Sequence, residues 1–288
     1  MMQEILKQLQ VHIPFDQLFQ KHLDKVLREQ INPEIAFTST VLDRFADRDY
    51  AAVGNILREA GRFVTFHGPF MDLRPGGIDP KIRQASLERF RRLFEIAAAF
   101  HPQSIVFHPS YDEKYYVSSG RKWLGNSIDT WSQLVPLAEG LDARIALENV
   151  YEADPGYLGL LLDALPRERV GFCFDTGHFN VFSGVPLEAW MDRLGSRLIE
   201  IHLHDNQGGL DEHLPVGKGT FPFVKLFSIL RERKITPILT VEAHSEKNLA
   251  QTLANIKALG ILEGLEDVRV TEGQPVLPGM KTSVPGRS

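Results

Sequence analysis

The sequence predicts a single (β/α)₈ barrel, and three observations carry that prediction. Eight short apolar runs alternate with amphipathic stretches along the 288 residues, which is the βα alternation of a parallel sheet. Within the runs, residues two apart share a character: Ile199, Ile201 and Leu203 against Glu200, His202 and His204. Successive side chains of a strand point to opposite faces, so this parity implies one face toward packed helices and one toward a polar lumen. Finally, several of the runs end on a histidine or a carboxylate, at the strand ends where an α/β barrel carries its chemistry.

The expected strands span 9–14, 34–38, 63–67, 105–108, 144–148, 170–175, 198–202 and 237–242. Between them, apolar residues recur three and four apart over 43–60, 80–100, 221–234 and 246–259, which reads as helix. The longest irregular stretch, 108–129, follows a strand end and carries Tyr111, Tyr115, Tyr116, Arg121, Lys122 and Trp123. Such a loop suits closure over a substrate, with Tyr111 and Trp123 as contacts, or packing on the barrel rim. The barrel is expected to fill residues 1–265, with 266–288 an irregular, Pro- and Gly-rich extension.

Bulk properties narrow the function. A hydrophobic content of 43% supports a large core. A net charge of −5 gives no general electrostatic reason to bind nucleic acid, although a local basic groove is compatible with that sum. The one cysteine, Cys173, has no internal disulfide partner, and no apolar stretch approaches the ~20 residues of a bilayer span. The first ten residues lack the apolar centre of a signal peptide. A soluble cytoplasmic protein is expected; nothing in the sequence speaks to its oligomeric state.

The strand-end residues are His67, His108, Glu148, Asp175, His202 and Glu242. One alone reads as a hydrogen-bonded rim residue. Together at one barrel mouth, they would set like charges against each other unless a divalent cation compensated them. Nitrogen and oxygen donors without thiolate suit Zn²⁺, Mn²⁺, Co²⁺ or Mg²⁺. Two further stretches extend the set: Asp175-Thr176-Gly177-His178, and His202-Leu203-His204-Asp205 followed by Asp211-Glu212-His213.

With Glu148-Asn149, these motifs make the chain resemble the xylose-isomerase-like barrel superfamily, which holds sugar isomerases and epimerases and the endonuclease IV family of abasic-site enzymes. The resemblance covers most of 63–259. It implies a shared metal site on Glu148, Asp175, His202 and Glu242. For the endonuclease IV branch it implies a trinuclear cluster that adds His67, His108, His178, Asp211 and His213, all of them present.

Two chemistries therefore stand. By resemblance to the ketose epimerases, Glu148 and Glu242 would flank a small sugar, sugar phosphate or polyol derivative and act as base and acid through an enediolate. The arginine usual in those enzymes after the histidine matched by His202 is absent, and Glu152 and Asp154 are both candidates for their second acidic residue. The other chemistry is metal-assisted phosphodiester hydrolysis, which the full ligand set favours and the acidic stretch 150–156 disfavours. A non-catalytic ligand-binding barrel is a third class, disfavoured because both glutamates are kept. Further expected substrate contacts are His204 and Asp205, or these two orient His202 instead. Lys218, in a Gly217-Lys218-Gly219 turn that is no phosphate-binding Walker loop, is a further candidate. The cofactor expectation is a divalent metal, roughly one to three ions.

Overall fold

The structure is a computed structural model that describes residues 2–265. The expected 266–288 extension lies outside the described residues. The eight strands, all parallel, close into a barrel in sequence order. They are β1 (Gln10–Pro14), β2 (Asn32–Ala36), β3 (Thr65–His67), β4 (Ser104–Phe107), β5 (Arg144–Glu148), β6 (Val170–Asp175), β7 (Leu198–Leu203) and β8 (Ile238–Val241). His108 and Glu242 stand one residue beyond their strands.

Helix boundaries follow local chemistry. The stretch expected as one helix over 43–60 is two, Ser39–Arg44 and Asp47–Glu59. The break falls at Phe45 and Ala46, both extended, and the Asp49 carboxylate accepts from the Ala46 N–H to restart the helix. Asp79 caps Pro80–Ala97 by accepting from Lys81 N, and Ser245 caps Glu246–Leu259 by accepting from Asn248 N. Gly260, at φ 59°, ends the latter in the left-handed conformation that glycine adopts without strain.

Ile105, Phe107, Ile145, Leu147, Phe172, Phe174, Ile201 and Leu203 face the helices and join the main apolar core. The alternate positions face the lumen. There Val106, Ala146, Cys173 and Ile199 form a small apolar layer apart from that core. The membership of Ile199 corrects the strict alternation read for β7. Phe172 pairs with Leu198 but Cys173 pairs with Glu200, so Ile199 is an extra residue in a bulge. At Gly171 a Cβ would come 2.6 Å from Ile199 Cδ1 and 2.4 Å from the Arg197 carbonyl oxygen. Only glycine leaves room for that bulge.

The 108–129 stretch is also corrected: a helix, Gly120–Ser132, occupies its second half. Tyr111 and Trp123, expected as substrate contacts, are instead buried in a packed aromatic cluster. Tyr111 lies 4.6 Å, centroid to centroid, from both Trp123 and Tyr157. Burying ring area stabilises this segment more than exposing it at a rim. Tyr115 and Val117 remain outside, 69% and 82% exposed. Among the described residues no helix is long and apolar enough to cross a membrane.

Candidate metal centre

At the carboxyl ends of the strands the lumen opens into a cluster of imidazoles and carboxylates. The backbone fixes its centre. Asn149 donates its amide N–H to the Asp175 carbonyl and accepts from Asp175 N at 2.8 Å, locking the end of β5 to β6. Thr176 Oγ1 lies 2.7 Å from the His204 carbonyl and 3.0 Å from that of His202, with one proton to donate between them, and accepts from His204 N, locking β6 to β7. Asp175 faces His202 across the ladder and also caps the helix Thr176–Phe182, accepting from His178 N at 2.6 Å. His178 is therefore both a helix-start residue and a member of the cluster.

His202 Nδ1 lies 3.3 Å from Glu242 Oε1, 3.5 Å from Glu148 Oε1 and 3.7 Å from Asp175 Oδ2. It is buried and has no hydrogen-bond partner. Four donors at bond lengths of about 2.1 Å around a tetrahedral ion stand about 3.4 Å from one another. The three carboxylate oxygens thus stand from the unpartnered Nδ1 at about the spacing expected between ligands of one divalent cation.

Around this centre, Glu148 Oε2 meets His67 Nε2 at 3.3 Å and His108 Nε2 at 3.1 Å, while Oε1 meets His178 Nδ1 at 3.1 Å. Asp211 meets His178 Nε2 at 3.4 Å and His213 Nε2 at 3.1 Å. Asp211 and His213 reach the site because Asp205 and Leu214 bond antiparallel, through N–H to carbonyl contacts of 2.9 and 2.7 Å, folding 206–213 back over the mouth. All nine residues expected as ligands are therefore brought together.

Another combination, His204, His213 and Glu242, also places donors close together. Geometry disfavours it. The rings of His204 and His213 stack 3.9 Å apart at 3°, so their in-plane lone pairs run parallel and one ion cannot lie in both planes. His244, not singled out from the sequence, continues the stack at 4.1 Å.

The other expected contacts divide. His204 Nε2 lies 2.9 Å from Asp175 Oδ2 and holds that carboxylate. Asp205 is fully buried and accepts from the N–H groups of Asn206, Gly219 and Phe221, so it shapes the loop instead of facing a substrate. Lys218 sits exposed on the turn. Of the two acids after Glu148, Asp154 accepts from Gly156 N at a helix start. Glu152 is buried with Oε1 unpartnered. Burial pushes its carboxyl up to about 7.

His12 and Glu34, on the two strands read without a site residue, complete the cluster. Glu34 Oε2 lies 2.7 Å from His12 Nδ1, and Oε1 lies 3.1 Å from His202 Nε2. Below them Glu200 accepts from Ser104 and, at 2.6 Å, from Thr240. Glu34 lies midway along β2, between Pro33 and Ile35, and not at the carboxyl end of its strand, where Glu148 and Asp175 stand in theirs.

Burial works against every charge here, and at Glu148, Glu242 and His12 the mutual pairing outweighs it. Glu148 stays well below the ordinary carboxylate range because His108 and then His202 lie beside it, and Glu242 because His202 and then His12 do. Burial opposes the His12 imidazolium, yet Glu242 and Glu34 hold it up to about 10. At His108 burial wins and its pKa falls. A bound cation would displace the protons that the imidazoles otherwise carry.

The closed barrel with polar strand ends defines the class, and the sequence places the chain within it. Residues 34–260 match the family described as xylose isomerase-like TIM barrel, and the chain belongs to that family. The uncharacterized protein MJ1311 of Methanocaldococcus jannaschii is 28% identical over 222 residues, 74% of each chain. MJ1614 of the same organism is 27% identical over 198 residues, 68% of this chain and 76% of that one. Among solved structures, a D-tagatose 3-epimerase-like protein superposes with a TM-score of 0.74 at 22% identity, covering 86% of this chain and 96% of the other. The TTHB071 protein from Thermus thermophilus, soaked with ZnCl₂, gives 0.71 at 23% identity, covering 88% and 97%. The 3-keto-D-glucoside 4-epimerase YcjR from E. coli gives 0.66 at 17%, covering 88% and 99%.

Proposed function

We propose that the chain is a divalent-metal-dependent isomerase or epimerase of a small sugar, sugar phosphate or polyol derivative. The observation that carries this reading is the convergence of Glu148 and Glu242 on His202 Nδ1, at 3.5 and 3.3 Å, from strands β5 and β8. Two carboxylates held below their ordinary range by neighbouring imidazoles are proton acceptors at neutral pH. A substrate carbon between them would lose its proton to one glutamate, forming an enediolate, and regain one on the opposite face from the other after that carboxylate has taken a proton from solvent. A divalent ion, when bound, supplies Lewis acidity to adjacent substrate oxygens and lowers the pKa of the intervening C–H. Asp211 and His213, folded over the mouth, would limit access of water.

The names of structural neighbours, a D-tagatose 3-epimerase-like protein and a 3-keto-D-glucoside 4-epimerase, support the substrate class. Solvent-proton exchange into a panel of ketoses and aldoses tests it; no exchange into any of them would reject it.

A second reading, a trinuclear phosphodiesterase acting on abasic-site DNA, is favoured by one observation. His67 and His108 flank Glu148 on one side, and His178, Asp211 and His213 group on the other. The net charge of −5 counts against it. Elemental analysis separates the two, about three zinc ions per chain pointing to hydrolysis and about one divalent ion to isomerisation.

A further inference from the structure

We propose that Glu34 is the positioning residue of the metal centre: it fixes which nitrogen of His202 faces the ligand set and, through His12, steadies Glu242. The inference rests on the metal-dependent reading above but concerns a residue outside the nine ligands.

Glu34 is fully buried midway along β2, opposite His12 in β1 and Thr65 in β3. A buried carboxylate costs several kcal/mol unless its oxygens are engaged. Both are. Oε1 stands 3.1 Å from His202 Nε2 and Oε2 stands 2.7 Å from His12 Nδ1. An acceptor at Nε2 keeps the proton there and leaves the Nδ1 lone pair for a cation. That is the nitrogen on which Glu148, Asp175 and Glu242 converge. With the opposite tautomer the lone pair would point down the lumen at a carboxylate, and the donor set would be broken.

The same carboxylate acts on a second group. His12 Nδ1, while bonded to Glu34, also lies 3.2 Å from Glu242 Oε1, so one imidazole N–H is shared between the lumen carboxylate and a mouth carboxylate. His12 is one-fifth exposed and bridges the two levels. Glu200, further down, accepts from Ser104 and Thr240 and makes no hydrogen bond to His202. A carboxylate behind a ligating histidine typically changes metal affinity by about 10–100-fold when removed.

The test uses Zn²⁺ alone, titrated into metal-free full-length protein by competition with a chromophoric chelator, with Co²⁺ spectra as a second readout. Glu34→Met fills the volume without an acceptor and should weaken Zn²⁺ binding about 10–100-fold and alter the Co²⁺ d–d bands. Glu34→Gln keeps an oxygen for the His202 N–H and should recover most of that loss. Wild-type affinity in Glu34→Met, or equal weakness in both variants, overturns the inference. Should Glu34→Met not fold, nitrogen NMR of the zinc-loaded wild type decides: metal on Nδ1 and a proton on Nε2 of His202 supports the role, and the reverse rejects it. No sugar enters these measurements. A protein that binds Zn²⁺ in this way yet exchanges no substrate proton refutes the proposed function alone; one that binds no Zn²⁺ refutes both.

Discussion

A Cβ at Gly177 would come 2.0 Å from Cε1 of His204. The ring there is held in place, because its Nε2 bonds the Asp175 carboxylate and the ring stacks on His213. Gly177 has an ordinary helical backbone, so its absence of a side chain answers a steric need. Gly177→Ala should displace His204, costing about 1–3 kcal/mol in urea denaturation. Zn²⁺ binding should also weaken, through Asp175. Unchanged stability and unchanged affinity together would show that the ring relocates freely.

On the proposed roles, Glu148→Gln and Glu242→Gln each remove one proton acceptor while keeping the side-chain shape. Proton exchange from solvent into the substrate should fall by about 10²–10⁴-fold in each. Circular dichroism should stay native. Full exchange in either variant rejects that residue's role.

Metal should also act as a folding ligand. The crowd of carboxylates and imidazoles is arranged in the native state only, so a divalent ion at about 100 times its Kd should add about 2.7 kcal/mol of stability. Thermal melts with Zn²⁺, with Mn²⁺ and after exhaustive chelation check this. A melting temperature indifferent to chelation would count against a resident ion.

Glu200 gives a pH prediction. Burial, and then the nearby Glu34 charge, push its carboxyl from the ordinary 4.5 up to about 7. The folded protein therefore holds this proton more tightly than the unfolded chain between those values, and the contribution to stability is lost as pH rises from 4.5 to about 7. Glu200→Gln keeps groups that can bond Ser104 and Thr240 without the ionisation. Relative to wild type it should gain stability across that window, by on the order of 3 kcal/mol at the upper end. Denaturation midpoints at about pH 5 and about pH 8, on either side of the shifted value, measure the difference.

Trp123→Ala should damage the fold more than substrate binding. Its ring is fully buried against Tyr111 and Tyr116. Truncation of such a ring costs about 3–5 kcal/mol. Refolded variant with an unchanged KM supports the packing role; a large rise in KM with little loss of stability would restore the substrate contact.

The barrel was legible because alternation of short apolar runs and amphipathic stretches is a pattern of sequence order, and strand ends are where that order changes. For the same reason Glu148, Asp175, His202 and Glu242 could be picked out, standing at the last lumen-facing position of their runs. Glu34 and His12 could not, since a polar residue inside a strand carries no sign of what lies across the lumen from it, here His202 on a strand far along the chain. Trp123 and Tyr111 were misread because an aromatic side chain is equally suited to a rim and to a core. Asp205 was ambiguous until the turn it binds, Gly219 to Phe221, was placed beside it. In each case the missing information was a contact distant in sequence.

The extra residue at Ile199 has a consequence for how this barrel can change. Ile199 itself packs the apolar floor, Leu198 before it joins the main core, and after it Glu200 and His202 return to the alternating pattern opposite Cys173 and Asp175. The bulge works as a clutch, letting the floor and the reactive rim keep separate phases on one strand. Substitutions that resize the floor need not turn His202, and because Ile199 is the extra residue, a deletion there would leave Glu200 and His202 opposite Cys173 and Asp175 while removing one side chain from the floor.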